Sequence, residues 1–190
     1  MIERQINALR VACREALKVE RTSSLSPNVQ RALTIVSVCQ FCLESATPPK
    51  RDGSGGWFTS MLSQPPVNNP FGIKKMQKYE EYGEFSEDSW EISNGSRVQK
   101  EEVFQKFPDL ATAFKAHQEL LCAKPQVQAA LTRQDWIAIA AALGPPIDEL
   151  HCGYSTNPAY AKILAMIGSE AALDDPGKVE WYAGAAPAQE

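Results

Sequence analysis

NVQRALTIVSVCQFCLES, residues 28–45, is the stretch on which the fold turns. Wound at 3.6 residues per turn, Val29, Ala32, Leu33, Ile35, Val36, Cys39, Phe41, Cys42 and Leu43 cover nearly the whole circumference instead of one stripe. Such a helix has no face to give to water, so other elements must surround it. Pro27 stands where a first helical turn tolerates proline, Ser26 precedes it as a cap residue, and Thr47-Pro48-Pro49 forbids continuation. The run ends in an acid, Glu44. Apolar neighbours and the negative end of the helix dipole both disfavour its ionised form, so its pKa should rise. A carboxylic acid still protonated near neutrality is what general acid catalysis requires. From the residue type alone, a solvated terminal glutamate is the competing reading.

Working outward, 190 residues with 44% hydrophobic and 22% charged side chains fit one globular domain, residues 1–173, followed by a tail, 174–190. Basic residues number 19 against 23 acidic ones, for a net charge of −4. That balance offers no footprint for nucleic acid and no polybasic patch for anionic lipid, so neither partner is expected. The first residues, MIERQINALRVACREALKVERTSS, alternate charge with apolar side chains and contain no continuous apolar core. They read as neither a signal peptide nor a membrane span, and synthesis in the cytoplasm without a Sec-type export signal is expected. Ile2, Ile6, Leu9, Cys13 and Leu17 instead form the stripe of an amphipathic helix.

Cys13, Cys39, Cys42, Cys122 and Cys152 are odd in number and scattered, and read as free thiols acting as small core hydrophobes. Cys39 and Cys42 do make a C-x-x-C, and His151-Cys152 could complete a zinc set. The pair lies inside a helix with no turn to converge both sulfurs, so no metal site and no cofactor are expected.

Residues 46–69 are dense in Pro, Gly and Ser around an apolar island of Trp57, Phe58, Met61 and Leu62, which marks a long functional loop. Further on, WEISNGSRV, residues 90–98, alternates about an Asn-Gly pair and predicts a β-hairpin. Trp90 and Ile92 share one face, while Glu91 points to the other, toward solvent or a cleft. Helical spacing returns with Leu110, Phe114, His117 and Leu121, then over 131–143, and again from about Pro158 through Ile167 with Thr156 or Asn157 as cap. His117 lies on its helix's apolar stripe and reads as a core histidine. The last residues lack periodicity, though Trp181-Tyr182 could dock.

Three segments, CLES (42–45), NNPFGIK (68–74) and GYSTNPAYAKI (153–163), occur in the order of the signature segments of glycoside hydrolase family 73, which the chain resembles from about Val29 to Met166. These are endo-β-N-acetylglucosaminidases of flagellar hydrolases, autolysins and phage lysins. Trp90-Glu91 ahead of Asn94-Gly95, and FQKF (104–107), resemble the family's β-lobe acid and the Phe-Arg-x-Tyr that follows it. Two departures stand out. The family's Gly-Trp-Gly follows Glu-Ser directly, whereas here Gly56-Trp57 comes after an insertion, and Gln105 and Phe107 replace the usual Arg and Tyr.

The resemblance implies an α+β, lysozyme-like fold: a mainly helical lobe, a small β-hairpin lobe and a cleft between them. It implies cleavage of the β-1,4 bond after N-acetylglucosamine in peptidoglycan, with Glu44 as general acid, Glu91 as base or electrostatic partner, and Tyr154 supporting the acetamido group or the catalytic centre. Trp57, Asn68, Asn69, Phe71 and Tyr160 are the expected substrate-binding residues, and all but Phe71 have a bland alternative: Trp57 tethering its loop, Asn68 and Asn69 capping the turn before Phe71, the tyrosines packing. A non-catalytic wall-binding or assembly module on the same fold, a muramidase and a lytic transglycosylase are the rival functions. The expected partners are peptidoglycan glycan strands and, for a delivered toxin, secretion machinery and an inhibitory immunity protein docking on the inserted loop. Action on the wall, in the periplasm or outside the cell, then follows lysis or specialised secretion.

Overall fold

The computed structural model describes residues 3–46, 56, 59–93, 96–144, 155, 157–175 and 177–184, with the backbone alone at 4, 89–93, 96 and 97, and among these residues seven α-helices and one hairpin follow each other. α1 (Glu3–Glu20) and α2 (Pro27–Glu44) come first. The strands β1 (Glu84–Ser93) and β2 (Ser96–Gln105) follow. Then come α3 (Leu110–Cys122), α4 (Pro125–Leu131), α5 (Trp136–Ala142), α6 (Tyr160–Glu170) and α7 (Lys178–Ala183).

α2 is the buried centre that its sequence demands. Every residue from Ala32 to Cys42 is buried, and the helix packs against α1, α3, α5 and α6. Around it Phe41, Phe71 and Phe114 form an aromatic cluster, with Phe41 and Phe114 stacked at 5.5 Å and Phe71 edge-on to Phe114 at 5.0 Å. Cys13, Cys39 and Cys42 are free and buried in the same core, and burial pushes their thiols upward, Cys13 to about 12, so they stay protonated and inert. Cys152 and His151 lie outside the described residues. Ser26 occupies the N-cap position of α2 but makes no side-chain cap bond there.

The hairpin pairs Glu84 with Gln105 at its root and Ser93 with Ser96 at its far end, which leaves two residues for the connection. Those two, the expected Asn-Gly turn, lie outside the described residues. Its root is pinned to the body by the NNPFGIK segment. Gly72 takes a positive φ of 60°, and beyond it Lys74 bridges to Phe104, Lys75 N donates to Val103 O at 3.1 Å, and Gln105 N donates to Ile73 O at 2.9 Å. Lys74 and Lys75 add ion pairs with Glu102 and Glu84 at 2.8 and 2.6 Å.

Two expectations change. The single helix read over 131–143 is broken: Gln134 adopts a left-handed φ of 53°, and Asp135 caps a new helix by accepting from Ile137 N at 2.9 Å. Part of the stretch read as a tail is α7, which packs on α1 with Val179 and Tyr182 buried. Arg31 of α2 holds it by pairing with Glu180, and the same guanidinium pairs with Glu20 of α1 at 2.9 Å. Asn157 supports the start of α6 through its side chain, accepting from Ala159 N at 2.9 Å, though the N-cap itself is Ala159. No described helix is long and apolar enough to cross a membrane.

Candidate active site

Glu44 is the last residue of α2 and the first half-buried carboxyl the helix delivers to a cleft. The helix stops there because Ser45 folds back: its backbone N–H and hydroxyl both reach Phe41 O, while its own carbonyl accepts from Thr59 N and Ser60 N at 2.9 Å each. The helix end is thus closed by the residue after the acid and by the returning end of the inserted loop. Glu44 is left facing a cleft of about 550 Å³, together with Phe71 to Met76 from the NNPFGIK side and His117, Leu120 and Lys124 from the α3 side.

Burial raises the Glu44 carboxyl above the usual carboxylate range, and the Tyr160 hydroxyl, donating to Oε1, opposes that shift without reversing it. Tyr160 is itself buried at the start of α6, and Gln40 Nε2 donates to its hydroxyl oxygen at 2.9 Å. Gln40 precedes Glu44 by four residues, so both side chains rise from one face of α2 and Tyr160 bridges them. The donor direction is uniform, from Gln40 to Tyr160 to Glu44. With Oε1 occupied as an acceptor, Oε2 is the oxygen left to carry the proton.

Phe71 lines the cleft and is also its floor, with its ring parallel to His117 at 3.9 Å. Burial pulls His117 down to about 3, so its imidazole is neutral at any ordinary pH and packs as a core ring. Asn68 and Asn69 take their structural alternative. Asn69 is fully buried; its Nδ2 donates to Ile73 O at 2.8 Å and Gln105 O at 2.9 Å, and its Oδ1 accepts from Ile73 N at 2.9 Å. Asn68 Nδ2 donates to Phe107 O at 3.0 Å. Through these bonds both amides build the loop that carries Phe71, and Asn69, fully buried, has no surface to offer a sugar.

Gln105, standing where the family has arginine, is fully buried and anchors the β-lobe. Its Nε2 donates to the carbonyls of Tyr79, Gly83 and Lys106 at 2.7, 2.9 and 3.0 Å, and its Oε1 accepts from Met76 N at 3.1 Å. Glu91 lies in β1 opposite Val98, two pairs in from the end of the hairpin. Its side chain, and all of Trp57 and Tyr154, lie outside the described residues.

The structure therefore brings together Glu44, Tyr160 and Phe71, and adds Gln40, which the sequence reading passed over. A signal for it existed: a glutamine inside a helix buried on all sides must find a partner. Among the described residues no group of three or more His, Cys, Asp or Glu side chains could hold a metal ion.

A half-buried acid held by a tyrosine at the end of a core helix, over a cleft beside a β-hairpin lobe, is the arrangement of a lysozyme-like glycosidase. The sequence model of the glucosaminidase family, described as mannosyl-glycoprotein endo-β-N-acetylglucosaminidase, matches residues 30–172, and the chain belongs to that family, glycoside hydrolase family 73. It is a glycoside hydrolase. Among solved structures, the catalytic domain of the autolysin Auto from Listeria monocytogenes is similar at 20% identity, covering 91% of this chain and 87% of that one with a TM-score of 0.66. A peptidoglycan hydrolase mutant from Sphingomonas sp. A1 is similar at 22% identity over 88% of this chain and 96% of its own, with a TM-score of 0.57. An N-acetylmuramoyl-L-alanine amidase from Staphylococcus aureus matches at 16% identity, with 96% of this chain and 44% of that one covered and a TM-score of 0.61. These likenesses are of fold. No curated protein sequence matches the chain.

Proposed function

We propose that the protein hydrolyses peptidoglycan at the β-1,4 bond after N-acetylglucosamine, with Glu44 as general acid. The observation that carries this reading is the raised carboxyl of Glu44 held by Tyr160 over the cleft. Protonated Oε2 gives its proton to the glycosidic oxygen as the bond to the anomeric carbon breaks. Water then adds hydroxide to that carbon, its second proton leaves to the activating base, and Glu44 is reprotonated before the next turnover. Glu91 is assigned by resemblance as the group that activates the water or orients the acetamido oxygen for attack from within the substrate, and Tyr154 as the support of that acetamido group. The wall is the site of action.

Digestion of purified sacculi tests the reading. Fragments ending in reducing N-acetylglucosamine are expected, with none from Glu44→Gln. Reducing N-acetylmuramic acid ends, or anhydro-muramyl ends, overturn it in favour of a muramidase or a transglycosylase. Binding without any release of sugar assigns the chain to a wall-binding module.

A further inference from the structure

Away from the cleft, helices on either side of the family-matched region meet. α1 carries Arg10 and Arg14, four residues apart and so on one helical face, and α7 brings Trp181 and Tyr182 against them. Together with Ala183 and Gly184 they line a hollow of about 400 Å³. Both helices lie outside residues 30–172.

α7 is fixed to the body through Val179, Glu180 and Tyr182: Val179 and Tyr182 are buried against it, and Glu180 is paired with Arg31. Trp181 alone is held out, 58% exposed, with Lys178 Nζ 4.9 Å from its ring centre. Folding gains little from an indole in water, and a rigid exposed one is a flat surface for a partner to stack on. The arginines beside it are lightly committed. Among the described residues Arg14 uses its Nε on Glu15 at 2.9 Å, a carboxylate also held by Lys18, and Arg10 reaches Asn7 at 3.4 Å. Their guanidinium forks suit carboxylates. In a chain of net charge −4, this basic, aromatic hollow is a local reversal of sign.

We propose that the hollow is a non-catalytic subsite for an anionic glycan, in which a pyranose face stacks on Trp181 and a carboxylate sits on Arg10 and Arg14. The ligand's identity as a peptidoglycan strand, whose stem peptides carry carboxylates, rests on the function proposed above. The subsite holds the enzyme on the wall while the cleft works elsewhere on the polymer, and its charge contribution weakens as salt rises.

The test is cosedimentation of full-length Glu44→Gln protein with purified sacculi, which reads binding without cleavage. Adding Trp181→Ala, or Arg10→Ala with Arg14→Ala, should raise the half-binding concentration about fivefold or more. Amidation of the sacculus carboxylates should bring the Glu44→Gln protein down to the level of its arginine variant and leave that variant unchanged. In the active chain the same substitutions should keep turnover of a short soluble muropeptide within about twofold of the unsubstituted chain. Equal binding by all variants overturns the proposal, as does amidation without effect, or loss of turnover on the soluble fragment in step with sacculi. Capture of an acidic protein through the hollow, with sacculus binding untouched, also overturns it. Because binding is read separately from reducing ends, a wrong cleavage product removes only the proposed function, and unaltered binding removes only the subsite.

Discussion

Two sets of buried polar side chains lie on either side of the cleft, and they differ in what they are bonded to. Gln105 and Asn69 spend their amides on backbone: Gln105 on the carbonyls of Tyr79, Gly83 and Lys106 and the N–H of Met76, Asn69 on Ile73 and Gln105. Gln40, Tyr160 and Glu44 bond to one another, and the series ends at an acid open to the cleft. The first set closes on itself and fixes the hairpin root. The second stays open: among the described residues Gln40 Oε1 has no partner at its buried end, and at the other end stands the carboxyl that the proposed mechanism uses. The difference teaches how to tell scaffold from chemistry where both are buried glutamines: by whether the hydrogen bonds finish in the backbone or at a titratable group facing space.

Substitutions can break or sharpen that contrast. The largest effect is expected from Glu44→Gln, which keeps an acceptor for Tyr160 and removes the proton: release of reducing ends should fall on the order of 10³-fold, about 4 kcal/mol of transition-state stabilisation. Stability should move the other way. Glu44 binds its proton more tightly folded than unfolded, so its contribution to stability is present below the unfolded pKa and is lost as pH rises through the folded one. The glutamine variant lacks that loss, and thermal melts from acid to neutral pH should diverge in its favour.

Next comes Gln105→Leu, which keeps volume but strands the Tyr79 carbonyl and the Met76 N–H. Chemical denaturation should show a loss of about 3 kcal/mol, while kcat of the remaining folded protein stays close to that of the parent. A fall in kcat at unchanged stability would place Gln105 on the chemical side of the comparison. Tyr160→Phe should lower kcat about tenfold. Its hydroxyl favours the ionised Glu44, so removing it raises the carboxyl further, and the basic limb of the pH–rate profile should shift to higher pH. A shift to lower pH would contradict the hydrogen bond's assigned direction. Trp181→Ala should be the mildest, changing stability by less than about 0.5 kcal/mol because the ring is largely in solvent.

Much of the fold was legible in the sequence because local spacing dictates it. α2 follows from apolar residues around its whole circumference and from prolines at both boundaries; the hairpin follows from alternation about Asn-Gly. The break between α4 and α5 was also written there, in Asp135 as a cap, but the apolar residues on either side concealed it. α7 was not legible: six residues have no period of their own, and its helix exists because Val179 and Tyr182 find α1 and Glu180 finds Arg31.

By itself, then, the sequence determined a buried central helix ending in an acid, a hairpin lobe and the order of segments that places the chain in its family. Tertiary structure alone decided which groups act on that acid. Tyr160 is 116 residues from Glu44, Gln105 stands 36 residues from Asn69, and Arg31 lies 149 from Glu180. Periodicity records which way a side chain points on its own element. A hydrogen bond between elements depends on how they pack, and no spacing along the chain encodes that.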